Sequence, residues 1–193
     1  MAKNMAKKKK EEPKIIIPEQ FHIIAADLSL NRPGFSLWTW LAPDNVQIDT
    51  FYVDNKKFSC PGEKLDNMFA NFNRLRFNDD LPVFYLREHA FNSRASQYEI
   101  GVFEMVGLSD WWIWTRERKQ WIELYPVTIK KIVTGDSKAD KKKVEESLTD
   151  FVGRREYKVD DESDATALAV AWLVTNGKLP DLHKKEEKKE NDS

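Results

Sequence analysis

The chain has 193 residues, room for one domain or one domain with tails. With 41% hydrophobic and 12% aromatic residues it can bury a core, which excludes wholesale disorder. Its formal net charge of −1, despite 33% charged residues, excludes a uniformly basic nucleic-acid binder, so any such role must rest on local charge.

Cys60 stands alone, which excludes an internal disulfide framework and a Cys-based zinc knuckle. No apolar run approaches the roughly 20 residues that span a bilayer, and the start MAKNMAKKKK lacks the apolar segment of a secretory signal. No membrane partner is expected. The expectation is a soluble protein of the cytoplasm, in a bacterial or virus-infected cell.

Residues 1–20 are expected to be a disordered basic tail and 181–193 a disordered charged tail, with one folded domain over 21–180. The run at 22–28 is apolar and stops at Asp27; Asn31, Pro33 and Gly34 make a turn. Residues 35–41 and 46–53 are β-rich, giving three strands with tight connections. Over 63–77, Leu65, Met68, Phe69, Phe72 and Leu75 recur at helical spacing. Residues 81–86 form a compact apolar strand. A long amphipathic helix follows over 95–115, with Tyr98, Val102, Met105, Val106 and Leu108 as core candidates. Residues 121–125 and 127–133 have the composition of strand segments around Pro126, and 139–151 and 163–174 of helices. The order βββαβαβαα predicts an α/β protein: the ribonuclease H-like fold, a mixed five-stranded sheet flanked by helices.

Four acids stand out by position. Asp27 ends a hydrophobic strand, where Asp is depleted. Glu88 follows the next apolar strand. Asp161 and Asp164 share one face at the start of the last helix, about one turn apart. Each has an ordinary explanation: a turn, an exposed loop, a helix start that welcomes acids. Together they predict more. If the first and fourth strands pair in parallel, both acids lie at carboxyl ends, where open α/β sheets put their sites. Such a cage suits hard cations, Mg²⁺ with Mn²⁺ as substitute. Two ions roughly 3.5–4 Å apart would activate a water and stabilise the leaving oxygen in phosphodiester hydrolysis.

Four blocks carry a family resemblance. IIAADLSLNRPGFSLW resembles the opening hairpin of RuvC-type Holliday junction resolvases. FYLREHAF resembles that family's catalytic Glu with a Phe three residues on, here Glu88 and Phe91. PVTIKKIVTGDSKADKKKVEESL resembles its basic strand–loop–helix stretch, and DDESDATALAVAWL its final helix start. The resemblance implies a two-metal endodeoxyribonuclease that acts as a homodimer on branched DNA, resolving four-way junctions. It implies Asp27, Glu88, Asp161 and Asp164 as metal ligands. Lys130 would be catalytic, near the scissile phosphate. Lys141 would contact the DNA backbone and Phe91 would stack on bases; the local density of lysines adds Lys131 and Lys138 as DNA-binding candidates. Lysines 130, 131, 138, 141, 142 and 143 face only Asp136 and Asp140 in sequence, a cationic stripe suited to phosphates. A solvated helix face explains Lys142 and Lys143 equally well.

The sequence also departs from the family. Asp27-Leu28-Ser29 replaces its D-P-G, Gly135-Asp136-Ser137 replaces a glycine pair, and Trp111, Trp112, Trp114 and Trp121 are additional. These tryptophans suit a core or a dimer interface. His22, His89 and His183 show no ligand spacing with Cys60, so zinc is not expected. There is no Walker-type glycine loop, and the length is too short for an actin-like ATPase. A broader flap and fork debranching nuclease and a non-cleaving branched-DNA binder remain as alternatives.

Overall fold

The computed structural model describes residues 16–90 and 97–184, with backbone only for 97–100. Five strands form one sheet in the order β3-β2-β1-β4-β5. They are β1 (Phe21–Asp27), β2 (Gly34–Ala42), β3 (Asn45–Tyr52), β4 (Val83–Glu88) and β5 (Ile122–Leu124). The first three run as an antiparallel meander; β4 pairs parallel to β1 and β5 parallel to β4. The helices are α1 (Pro61–Phe72), α2 (Gln97–Glu117), α3 (Pro126–Thr134), α4 (Lys141–Val152) and α5 (Asp160–Thr175). The sheet is mixed and flanked by helices, as expected.

The central strand shows why. In β1, Phe21, Ile23 and Ala25 belong to one apolar cluster, with α3, α4 and α5, while Ile24 and Ala26 belong to another, with α1 and α2. A strand covered on both faces becomes a continuous apolar run rather than an alternating one. Helix α5 is buried along most of its length, and Ala165, Ala167, Ala169 and Ala171, two apart and so spread round the helix, let it pack closely between the sheet and helices α3 and α4. The packed chain extends from Ile17, against the first cluster, to His183, whose Nε2 lies 3.0 Å from the Val133 carbonyl.

One element differs in kind from expectation. Residues 127–133, expected as strand, form helix α3. Pro126 occupies its first turn, where the missing N–H costs nothing, and Gly135 closes it in the left-handed region at φ 74°. Ile129 and Val133, four apart, turn into the core, so helical spacing and burial outweigh the β preference of the Ile and Val residues. The basic stretch is therefore helix–loop–helix.

The tryptophans divide. Trp112 and Trp121 are core, at 2% and 7% exposure, whereas Trp111 and Trp114 are open, at 55% and 51%. With Phe103 they leave apolar surface exposed on α2. Among the described residues no helix is long and apolar enough to cross a membrane.

Candidate metal centre

Asp27 and Glu88 are the last residues of neighbouring parallel strands, one position beyond the Ala26↔Arg87 pair. Asp161 and Asp164 come from the first turns of α5, which reaches this sheet edge because of Gly34. That glycine pairs with Asp27 across the hairpin. A Cβ on it would lie 2.2 Å from the backbone carbon and oxygen of Asp161, so the helix start and the strand touch backbone to backbone. As a result, one ligand atom each from Asp27, Asp161 and Asp164 lie within 4.8 Å of one another. Glu88 stands outside that grouping but beside it, close enough to raise the Asp27 pKa. A pocket of about 310 Å³, lined by Asp27, Ser29, Glu88, His89, Phe103 and Pro126 among others, opens over the pair of strand ends.

The electrostatics follow from crowding. Burial pushes the Asp27 carboxyl well above its ordinary value, and the charges of Glu88, Asp164 and Asp161 push it further, against Lys141. Burial and then Asp164 raise Glu88 to about 7, opposed by Lys130 and Lys141. Asp161 is raised by burial as well, with the Ser29 hydroxyl, which donates to its Oδ2 at 3.1 Å, pulling the other way. Ser29 is itself held by the Arg32 N–H, 3.0 Å from its Oγ.

The lysines separate by burial and by pairing. Lys141 opens α4 and places Nζ 3.1 Å from Asp164 Oδ2 and 3.6 Å from Asp160 Oδ2. Partial burial pushes its ammonium down, but Asp164, Asp160 and Asp161 outweigh this and hold it above the usual value. Lys130, half-buried on α3, acts on Glu88 through its charge. Lys131 is exposed on α3 and Lys138 in the following loop. With Lys141, half of the cationic stripe read from sequence is paired in three dimensions: Lys142 meets Glu146 at 3.8 Å and Lys143 meets Asp136 at 3.5 Å. Phe91 lies outside the described residues.

Two features went unread in the sequence. One is Ser29 as the support of Asp161; a hydroxyl two residues past a strand-ending Asp was its only signal. The other is a network centred on the buried Arg87, behind Glu88. Arg87, in the same strand, donates to Glu123 Oε1 at 2.6 and 2.9 Å and to Asp110 Oδ1 at 2.7 Å, and His89 Nδ1 lies 2.6 Å from Glu123 Oε2. It ties β4 to β5 and α2 and fixes the backbone on both sides of Glu88.

The fold, with its carboxylates at the carboxyl ends of the central parallel strands, is ribonuclease H-like. Among solved structures it is similar to Thermus thermophilus RuvC, with a TM-score of 0.64 and 14% identity, over 82% of this chain and 98% of that one. It is also similar to T. thermophilus RuvC in complex with Holliday junction substrate, with a TM-score of 0.66 and 15% identity over the same shares. The fowlpox virus Holliday junction resolvase aligns over 81% of this chain and 99% of its own at 13% identity, with a TM-score of 0.42, too loose a superposition to argue from. No family model and no curated protein matches the sequence. The RuvC likeness drawn from four short blocks is thus borne out as a likeness of fold.

Proposed function

We propose that this protein is a divergent RuvC-type nuclease, a metal-dependent endodeoxyribonuclease that resolves four-way DNA junctions. The observation that carries the reading is the convergence of Asp27, Asp161 and Asp164, with Glu88 beside them, at the carboxyl edge of a sheet folded like that of RuvC. The donor set fits Mg²⁺ or Mn²⁺. It offers carboxylate oxygens alone, and the pKa values of Asp27, Glu88 and Asp161 are raised by burial first and by mutual repulsion second, both of which a bound dication would offset. When bound, two such ions activate a water and neutralise the departing 3′-oxygen of a phosphodiester.

The chain's own residues do the remaining work in this reading. Asp27, Asp161, Asp164 and Glu88 present the oxygens, and the Ser29 hydroxyl holds the Asp161 carboxylate in orientation. Lys130 adds positive charge beside Glu88, at the place a scissile phosphate would occupy. Lys141, shared with Asp164, and the exposed Lys131 and Lys138 supply charge for the DNA backbone, and Phe91 would stack on bases at the opened junction. A homodimer belongs to the same reading. Phe103, Trp111 and Trp114 leave apolar surface on α2 for a second copy to cover, and a two-fold axis would set two centres across a two-fold substrate.

The test is cleavage of a synthetic four-way junction beside linear duplex, forked and flapped DNA, in Mg²⁺, Mn²⁺ and EDTA. Paired, metal-dependent nicks in the junction are expected. Equal cutting of forks and flaps would change the reading to a debranching nuclease. Tight junction binding without cutting in any metal would end the enzyme reading and leave a DNA-structure binder.

A further inference from the structure

Beside the metal centre lies a groove of about 650 Å³ lined by Ser29, Leu30, Asn31, Arg32, Lys56, Lys64, Val102 and Asp161. It adjoins the centre through Ser29 and Asp161, on a flank that neither α3 nor α4 lines. Three cations meet there from three separate segments: the β1–β2 turn, the β3–α1 connection and helix α1. Among the described residues none of the three forms an ion pair, in contrast to Lys141, Lys142 and Lys143. Arg32 Nε is buried without a hydrogen-bond partner among the described residues. The Lys64 ammonium donates only to the neutral Asn31 Oδ1, at 2.7 Å, and so keeps its charge uncompensated. The acids at hand are Asp161 in the lining and the exposed Asp54, which accepts from the Lys56 backbone N–H.

The groove is also held in shape. Asn55, fully buried, clamps its two walls together. Its backbone N–H donates to the Asn31 carbonyl at 2.9 Å, and its Nδ2 to the carbonyls of Leu30 and Lys64 at 3.1 and 3.4 Å. Its Oδ1 accepts from Asn67 Nδ2 at 2.8 Å. A buried amide with every partner supplied sets the mutual positions of the segments that carry the cations. Uncompensated charges on a fixed concave wall, next to carboxylates that repel anions, have one ready use: seating a polyanion and leading it to those carboxylates.

We propose that this groove is a DNA backbone site, in which Arg32, Lys56 and Lys64 bind phosphates of the strand that runs into the metal centre. The proposal rests on the nuclease reading for its choice of polyanion. It locates the substrate path on the β1–β2 and β3–α1 side, in addition to the lysines of α3 and α4.

The test is fluorescence anisotropy of a labelled four-way junction and a labelled duplex over a salt series in EDTA, on the full chain. Each lost duplex phosphate contact reduces the slope of log K against log[salt] by about 0.9. Arg32→Gln, Lys56→Gln and Lys64→Gln combined should therefore flatten it by roughly 2–3. Lys142→Gln with Lys143→Gln, both paired on α4, should leave it nearly unchanged. Lys56→Glu, at an exposed position, gives the same reading if the triple variant melts early. A folded triple variant and Lys56→Glu that both keep wild-type affinity and slope would overturn the groove while leaving cleavage, and the nuclease reading, intact. Binding that weakens as expected in a protein that cuts nothing would uphold the groove and end the nuclease reading. A wild type that binds no DNA would overturn both.

Discussion

Asp27→Asn separates the chemistry of the centre from its folding. In the metal-free protein the Asp27 carboxyl is held well above its ordinary value, by burial first and then by Glu88, Asp164 and Asp161. An acid with a raised folded-state pKa contributes stability that is whole below its unfolded value near 3.8 and is lost as pH rises through the raised one. An Asn of the same shape carries no such charge, so in EDTA the Asn variant becomes the more stable protein as pH rises. A dication reverses the ranking. At 100 times its Kd the wild type gains about 2.7 kcal/mol, roughly 5–11 °C in Tm for a domain of this size. The variant, short of one anionic oxygen, should gain little. Loss of metal stabilisation worth several kcal/mol at the transition state corresponds to a rate fall on the order of 10³. Thermal melts with EDTA, Mg²⁺ and Mn²⁺, beside junction cleavage, read all of this. An Asn variant that keeps the full metal-induced Tm shift would refute Asp27 as a ligand.

Other outcomes follow from neighbouring contacts. Ser29→Ala removes the hydroxyl 3.1 Å from Asp161 and should weaken Mn²⁺ binding by about 10–100-fold, seen by calorimetry, with little change in the metal-free melt. Gly34→Ala puts a methyl 2.2 Å from the Asp161 backbone and should cost about 1–3 kcal/mol in urea unfolding, with cleavage lost as α5 is pushed from β1. Glu88, raised to about 7, gives stability that is whole below its unfolded value near 4.5 and declines as pH rises through about 7. Metal-free urea midpoints should fall across that window by up to about 3 kcal/mol, and Glu88→Gln should flatten the fall; a rise there in both proteins would contradict it. Arg87→Met removes the buried partner of the solvent-accessible Asp110 and Glu123 and should cost about 1.5–3 kcal/mol, read from the same unfolding curves.

The features legible in the sequence were those written locally. The apolar run ending at Asp27, the Pro33-Gly34 turn and the helix start at Asp161 and Asp164 each announce themselves within a few residues. Parallel pairing of β1 with β4 then follows from the α/β order. Residues 127–133 misled because Val127, Ile129, Ile132 and Val133 have β-type side chains. The better signals were Pro126 at one end, Gly135 at the other, and the four-residue step from Ile129 to Val133. The groove cations were out of reach, since Arg32, Lys56 and Lys64 sit far apart in sequence and meet only through the Asn55 clamp. The stripe at 138–143 looked stronger than it is, because Asp164, the partner of Lys141, is too distant in sequence to weigh against it, while Glu146 faces Lys142 one helical turn on.

Acids at the start of a helix invite the plain explanation that they cap it. The geometry of α5 argues otherwise. Its N-cap, Val159, offers no side-chain hydrogen bond, and the carboxylate that reaches back is Glu162, accepting from the Lys158 N–H at 2.6 Å. Asp161 instead takes its bond from Ser29, across the hairpin turn, and Asp164 from Lys141, on another helix. Both present oxygens to Asp27. A capping carboxylate is stabilised as an anion and its pKa falls, yet that of Asp161 is raised by burial. Burying Asp27 and Glu88 beside them compounds the repulsion. A fold gains no stability by pressing four carboxyl groups together at one edge, and the two apolar clusters on either side of the sheet must offset the strain. Such an arrangement is intelligible as a site whose ligand brings the missing positive charge.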